Sequence, residues 1–213
     1  MKLYVVSGLG ADFKVLEKLK FPENTEVVFL DWLIPNKKES FSHFVERMSD
    51  RIDSSEPFAL LGYSFGGIIV QEINKIKPAE KVVILGSIKS DKEKSGFLRA
   101  GQLTKIPKFI PERFYNEKSA VAYSFLRKMM DPTNPKLMDY FTVRDPYYLK
   151  WCIEKISSWK SKENPNVIQI LADKDIVFPV KYSKPDYVIH NGTHLFPATK
   201  SREVSEILTE IFS

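Results

Sequence analysis

The sequence predicts an α/β fold with a mainly parallel six-stranded sheet and helices on both of its faces. Short apolar runs typical of strands alternate with longer stretches of helical spacing, and polar loops separate them. Alternation of this kind favours parallel strands joined by right-handed crossovers. The length of 213 residues suits one domain of this class.

Local composition predicts each element in turn. The first strand follows from Leu3-Tyr4-Val5-Val6, and the third from the apolar run Pro57-Phe58-Ala59-Leu60-Leu61. The helix around His43 has apolar residues at helical spacing and a plausible cap. Strands are expected near residues 2–7, 26–31, 57–63, 81–86, 166–172 and 185–190. Helices are expected near residues 12–19, 39–53, 65–77, 147–159 and 202–212.

The stretch Gly62-Tyr63-Ser64-Phe65-Gly66 is the most informative motif of the chain. It lies between the third predicted strand and a helix that starts with Ile68-Ile69-Val70. A serine at such a turn is held in a strained conformation with its hydroxyl above the sheet, and the flanking glycines allow strand and helix to approach closely. A bare glycine-rich turn would be only a tight connection, but this context predicts that Ser64 is a nucleophile.

A serine nucleophile needs a histidine as its base, and the chain has three histidines. His43 is expected on a helix face. His190 ends an apolar run, where a structural role is more common. His194 lies in a loop after the last strand, and catalytic side chains are usually presented from such loops, so His194 is the favoured base.

The acid is expected in the turn Ala172-Asp173-Lys174-Asp175, which follows the buried strand 166–172. Both aspartates have the chemistry to orient a histidine and stabilise its charged form. Either could instead only cap the turn, as aspartate often does. The residues of this segment alone leave Asp173 and Asp175 open.

Four separated segments together resemble the α/β-hydrolase superfamily. They are Ser7-Gly8-Leu9-Gly10, the Gly62–Gly66 turn, Ala172-Asp173-Lys174-Asp175 with Pro179, and Gly192-Thr193-His194. Ser7 stands where histidine is common in the family, and Ala172 stands where glycine is common. The resemblance implies the sheet order 2-1-3-4-5-6 and selects Asp175 as the acid. The order Ser64, Asp175, His194 is also that of the family, whereas chymotrypsin and subtilisin use other orders.

The same resemblance implies an oxyanion hole made of two backbone N–H groups. Phe65, which follows the nucleophile, supplies one, and Leu9, in the loop after the first strand, supplies the other. The glycines of this loop could instead belong to a dinucleotide fingerprint. That interpretation is disfavoured because Phe13 stands where the third glycine would be.

Residues 88–145 break the alternation and are interpreted as a helical cap or lid, with 1–87 and 146–213 as the core. A cap over Ser64 would exclude water and line an acyl pocket, although most of its apolar residues are expected simply to pack the insertion onto the core. Its basic residues Lys105, Lys108 and Arg113 could contact an anionic substrate, but solvent exposure is the simpler expectation. The large apolar residues of the region are Phe97, Phe109, Phe114, Tyr115, Tyr123, Phe125, Met129, Met130, Tyr140 and Phe141.

Composition restricts the remaining classes of function. The net charge of +5 is spread among acidic residues rather than gathered in a stripe, which disfavours nucleic-acid binding. No apolar run is long enough for a membrane span, and no secretory signal is visible. The single Cys152 allows no internal disulfide and suits a cytoplasmic location. No metal site and no cofactor are expected, and the protein would act as a monomer or homodimer.

The sequence therefore predicts a serine hydrolase that cleaves a small-molecule carboxylic ester or thioester with Ser64, Asp175 and His194. Within the same superfamily, carbon–carbon bond hydrolysis, hydroxynitrile cleavage or perhydrolysis would use the same triad. Two further alternatives are not enzymes. One is a receptor-like module that binds a ligand with little turnover, and the other is an interaction protein on the same scaffold.

Overall fold

Six parallel strands form one sheet at the centre of the protein. The structure is a computed structural model that describes residues 1–116 and 140–213. The strands are β1 (Lys2–Val6), β2 (Glu26–Phe29), β3 (Phe58–Tyr63), β4 (Lys81–Leu85), β5 (Val167–Ala172) and β6 (Tyr187–Ile189). They pair in the order β2-β1-β3-β4-β5-β6, and each neighbouring pair is parallel. The predicted fold class and strand order are confirmed.

Helices connect the strands across both faces of the sheet. They are α1 (Phe41–Ser49), α2 (Phe65–Ile76), α3 (Gly96–Thr104), α4 (Ile106–Phe109), α5 (Pro146–Ser158), α6 (Phe196–Thr199) and α7 (Ser201–Phe212). Short 3₁₀ helices span Phe13–Leu16, Asp91–Glu93, Glu112–Phe114 and Val180–Tyr182. Within the described ranges, no helix is both long and apolar enough to cross a membrane.

The prediction of a helix over residues 12–19 was wrong in both the type and the length of the helix. Only a four-residue 3₁₀ helix, Phe13–Leu16, forms there, and the Asp12 carboxylate caps it by accepting the Lys14 N–H. Val15, Leu16 and Leu19 are all buried against the sheet. One short turn already buries these apolar side chains, so tertiary packing outweighs the local helical spacing.

The alternation of side chains along the strands builds a core on each face of the sheet. Tyr4 and Val6 of β1 point into one core, which also takes residues of α1, α2 and α5. Leu3 and Val5 point into the other core, which α6 and α7 cover. Both faces are therefore buried, as expected for a parallel sheet.

The described part of the predicted insertion returns to the core beside the loop after β1. The Asp12 N–H donates to the Tyr140 carbonyl (3.1 Å), and the Gly10 carbonyl accepts from the N–H groups of Thr142 (2.9 Å) and Val143 (3.1 Å). The loop that was predicted to supply an oxyanion donor is thus tied to the end of the insertion. Four residues of the predicted cap, Tyr123, Phe125, Met129 and Met130, lie outside the described residues.

Candidate active site

Ser64 occupies a strained turn between β3 and α2. Its backbone has φ 54° and ψ −118°, a conformation that side-chain-bearing residues rarely adopt. The Ser64 N–H donates to the Leu85 carbonyl (2.9 Å), and the Gly67 N–H donates to the Ser64 carbonyl (3.0 Å). These bonds to β4 and α2 hold the turn in its strained form.

The glycines of the motif are required by close backbone contact. A Cβ on Gly62 would lie 2.4 Å from the Gly66 carbonyl oxygen. A Cβ on Gly66 would lie 2.2 Å from the Val6 carbonyl oxygen. No side chain fits in either position, so the glycine spacing in the sequence reflects the approach of α2 to β1 and β3.

Ser64, His194 and Asp175 form one chain of hydrogen bonds. His194 Nε2 lies 3.0 Å from Ser64 Oγ, and His194 Nδ1 lies 2.8 Å from Asp175 Oδ2. The Asp175 side chain is fully buried, and that of His194 is 13% exposed. With the Nδ1 proton directed to the carboxylate, Nε2 is free to accept the serine proton. The structure thus brings together the three residues predicted as a triad.

Backbone amides orient the Asp175 carboxylate. Oδ1 accepts the N–H groups of Val177 (2.8 Å) and Phe178 (3.1 Å), which leaves Oδ2 for the histidine. The alternative acid, Asp173, lies on the other side of the turn, where its Oδ2 is 3.4 Å from Nδ1 of the exposed His190. Of the two aspartates in this turn, Asp175, which the family resemblance selects, is the one that contacts His194.

The loop that carries His194 is held from two sides. The Lys174 N–H donates to the Gly192 carbonyl (3.0 Å), so the turn that carries Asp175 and the loop that carries His194 are bonded to each other. The Tyr63 hydroxyl donates to the His194 carbonyl (3.0 Å). Burial, reinforced by the nearby Asp175 carboxylate, raises the pKa of Tyr63, so its hydroxyl keeps the proton that it donates.

The loop after β1 lies directly beside the serine. A Cβ on Gly8 would be 3.4 Å from the Ser64 Cβ, and Leu9 follows it in the chain. Gly10 has φ 68°, and its N–H donates to the Tyr148 hydroxyl (3.2 Å). Phe65 is the first residue of α2, where backbone N–H groups have no partner within the helix. Leu9 and Phe65 therefore both adjoin Ser64.

The other candidate residues lie away from this constellation. His43 is on α1, with Nδ1 2.6 Å from Glu39 Oε1. Cys152 is buried in α5, and burial raises its pKa. The basic residues Lys105, Lys108 and Arg113 are exposed. No group of three or more metal-ligating side chains occurs in the described ranges.

Comparison with solved structures extends over nearly the whole chain. A lipase-esterase related protein from Clostridium acetobutylicum is 19% identical, covers 100% of this chain and 94% of its own, and superimposes with a TM-score of 0.66. A thermophilic esterase from Thermogutta terrifontis is 12% identical, with 99% and 89% covered and a TM-score of 0.68. The chain has the α/β-hydrolase fold.

A third structure with this fold is the RedJ thioesterase of the prodiginine biosynthetic pathway in Streptomyces coelicolor. It is 14% identical to the chain, covers 98% of this chain and 85% of its own, and has a TM-score of 0.64. No protein-family model matches the chain, and no curated protein matches its sequence significantly. At these identities the comparison establishes the α/β-hydrolase fold and not the reaction.

Two residues near the site, Trp32 and Ser87, are more deeply buried in this α/β-hydrolase fold than the sequence predicted. Trp32 follows the second predicted strand, where the sequence favours an ordinary turn residue over one that faces the site entrance. It is nearly buried, and its Nε1–H donates to the Gly8 carbonyl (2.8 Å). Ser87 follows the fourth predicted strand, where the sequence favours a loop serine over one that bonds near the acid. It is fully buried against Gly67. The position of Trp32, an aromatic residue shortly after the carboxyl end of β2, was the sequence feature that could have indicated its place near Ser64.

Trp32 also borders a cavity of about 260 Å³ beside the loop after β1. The lining includes Ser7, Asp12, Asp31 and Thr142. Trp32 therefore lies at the boundary between this cavity and the Gly8 peptide next to the serine.

Proposed function

We propose that the protein is a serine hydrolase that cleaves a small-molecule carboxylic ester or thioester through an acyl-enzyme. The observation that carries the proposal is the hydrogen-bonded series Ser64–His194–Asp175 with Ser64 in a strained turn. This series supplies a nucleophile, a base whose Nε2 lies next to the serine hydroxyl and a carboxylate that orients the base. The esterase and thioesterase neighbours support this class of substrate.

In the acylation step, Ser64 Oγ attacks the acyl carbon while His194 Nε2 takes the hydroxyl proton. Negative charge then develops on the former carbonyl oxygen, and the backbone N–H groups of Leu9 and Phe65 stabilise it. The bond to the leaving alcohol or thiol breaks, and His194 gives its proton to that group. Asp175 stabilises the imidazolium while it carries the extra proton.

In the deacylation step, a water molecule takes the place of the leaving group. His194 removes its proton, the oxygen attacks the acyl carbon, and the second tetrahedral intermediate collapses. Ser64 leaves with the proton returned by His194, and the carboxylic acid is released. The residues act in the same roles in both steps, and this sequence of steps uses no cofactor.

The region over residues 88–145 serves as the cap in this proposal. The described part places α3, α4 and two 3₁₀ helices after β4 and bonds residues 140–143 to the loop after β1. A cap bonded to the loop after β1, which carries Leu9, would shield the acyl-enzyme from bulk water. The acyl group would be short or medium in length, since the insertion is small.

Labelling with a fluorophosphonate probe tests the proposal, because such probes react with a serine activated by its base and oxyanion hole. We expect the wild type to be labelled, and labelling to be lost in Ser64→Ala and His194→Ala. His190→Ala is the matched control, since His190 is an exposed histidine paired with Asp173, and it should be labelled like the wild type.

Hydrolysis of p-nitrophenyl acetate and butyrate, and of the corresponding acyl-coenzyme A thioesters, then identifies the preferred bond. A folded wild type that is neither labelled nor active on any of these compounds would overturn the proposal. The receptor-like alternative, in which the fold binds a ligand without turnover, would then be preferred.

A further inference from the structure

The Trp32 side chain contacts two residues beside Ser64, Gly8 in the loop after β1 and Phe65 at the start of α2. Its Nε1–H donates to the Gly8 carbonyl at 2.8 Å. Its ring stacks on the Phe65 ring with centroids 5.3 Å apart and an interplanar angle of 8°. One side chain thus connects the loop after β1 with the first residue of α2.

The hydrogen bond to Gly8 determines the direction of the Leu9 N–H. The Gly8 carbonyl and the Leu9 N–H belong to the same planar peptide unit and point in opposite directions when that unit is trans. The described residues contain no cis peptide bond. Holding the carbonyl toward Trp32 therefore directs the Leu9 N–H to the opposite side of the loop. The Ala11 N–H also donates to this carbonyl (3.0 Å), which restrains the peptide further.

Neighbouring aromatic rings fix Trp32 itself. Phe44 stacks on Trp32 with centroids 6.5 Å apart and an interplanar angle of 20°. Tyr148 meets it at an angle of 62° and 5.9 Å, and the Tyr148 hydroxyl accepts the Gly10 N–H (3.2 Å). Trp32 is 9% exposed. The indole has little freedom to rotate, and a rigid support is what a preorganised oxyanion hole needs.

We propose that Trp32 is a positioning residue of the oxyanion hole, which aligns the Leu9 and Phe65 N–H groups through the Gly8 carbonyl and the Phe65 ring. This inference rests on the proposed serine hydrolase function. Trp32 does not touch the reacting atoms, so it acts on the transition state through backbone groups and not on substrate binding.

Trp32→Phe is the variant that tests this role, because it keeps an aromatic ring for stacking and removes the indole N–H. We expect kcat on p-nitrophenyl butyrate to fall roughly 10- to 100-fold with KM changed by less than about twofold. Affinity for an alkyl boronic acid, which forms a tetrahedral adduct on the serine, should fall by a similar factor.

Trp159→Phe is the matched control. Trp159 is also a buried tryptophan, and its Nε1–H donates to Glu72 Oε1 (2.8 Å), away from Ser64. This variant also loses an indole N–H hydrogen bond, in this case to a carboxylate, so it should lose at least as much thermal stability as Trp32→Phe while keeping kcat and boronic acid affinity.

The possible results separate the inference from the function on which it rests. If the wild type is active and Trp32→Phe keeps wild-type kcat and boronic acid affinity, the positioning role is wrong and the hydrolase stands. A parallel fall in Trp159→Phe would likewise overturn the role, because the effect would then be general destabilisation. If the wild type neither turns over esters nor reacts with fluorophosphonates, the function fails and the inference with it.

Discussion

The hydroxyl of Tyr63 donates a hydrogen bond to the backbone carbonyl of His194 over 3.0 Å. Tyr63 directly precedes Ser64, so the strand that presents Ser64 also holds the loop that presents His194. The two rings lie 5.4 Å apart, and Tyr63 is buried. The separation of Ser64 and His194 therefore depends on a contact made by the residue before the serine.

Replacing Tyr63 with phenylalanine should lower activity by loosening the His194 loop. The variant keeps the ring and leaves the His194 carbonyl without this donor, which costs about 1 kcal/mol of stability. We expect kcat for p-nitrophenyl butyrate to fall about fivefold, with KM little changed. Steady-state kinetics and urea unfolding check this. Tyr187→Phe, which removes a hydroxyl bonded to the exposed Glu210, is the control and should keep wild-type kcat.

The choice between the two aspartates gives a second prediction. Asp175→Asn should lower kcat by about 10⁴-fold, because an amide at this position favours the wrong tautomer of His194. Asp173→Asn should change kcat by less than about twofold, since the Asp173 side chain pairs with the exposed His190 and both ring nitrogens of His194 have other partners. Kinetics on one ester substrate compare the two variants. Equal losses in both would contradict the assignment of Asp175 as the acid.

The close approach of α2 to β1 gives a prediction about stability. Gly66→Ala should lower the free energy of unfolding by about 3 kcal/mol or more, because its Cβ would lie 2.2 Å from the Val6 carbonyl oxygen. Gly96→Ala is the control, as nothing lies within 4 Å of a Cβ there, and it should change stability by less than about 1 kcal/mol. Urea unfolding measures both. A Gly66→Ala protein as stable as the wild type would contradict the close packing of α2 against β1 at this turn.

Lys94 supports the start of the insertion from a buried position. Its ammonium donates to the carbonyls of Ser157 (2.7 Å) and Trp159 (2.6 Å) and to Gln102 Oε1 (3.1 Å). Lys94→Met should destabilise the fold by about 1–3 kcal/mol at pH 7, because these acceptors lose their donor. Lys92→Met, at an exposed lysine, should leave stability unchanged. Urea unfolding of the two variants decides this.

The contribution of Lys94 should also depend on pH. Burial lowers the pKa of Lys94 from 10.5 to about 8. Below pH 8 the side chain is charged in the folded and unfolded states alike, whereas between pH 8 and 10.5 the unfolded chain binds more protons. Stability must then rise with pH. The stability difference between the wild type and Lys94→Met should therefore grow in favour of the wild type from pH 8 to 10. A constant difference would contradict the lowered pKa.

Much of the architecture was predictable because its signals are local. The glycine pattern around Ser64 reflects steric contacts within one turn and its neighbours, so it appears as a short motif. Alternating strand and helix patterns predicted a parallel sheet, and the resemblance to the α/β-hydrolases implied its order. The segment after β1 was mispredicted as a helix because the burial of Val15 and Leu16 depends on the sheet, which local spacing does not contain.

The sequence also identified Ser64 and His194 as candidates. The residues of the 172–175 turn alone left two aspartates open, and the family resemblance selected Asp175. The two aspartates lie two residues apart, and in the assembled structure, where β5 pairs with β6, Asp175 contacts His194 and Asp173 contacts His190. The position of Trp32 is likewise a tertiary result. Its partners Gly8, Phe65 and Tyr148 come from segments distant in the chain, and β2 brings Trp32 to them by pairing with β1. Motifs encode contacts between near neighbours, whereas contacts between distant segments exist only once the sheet has assembled.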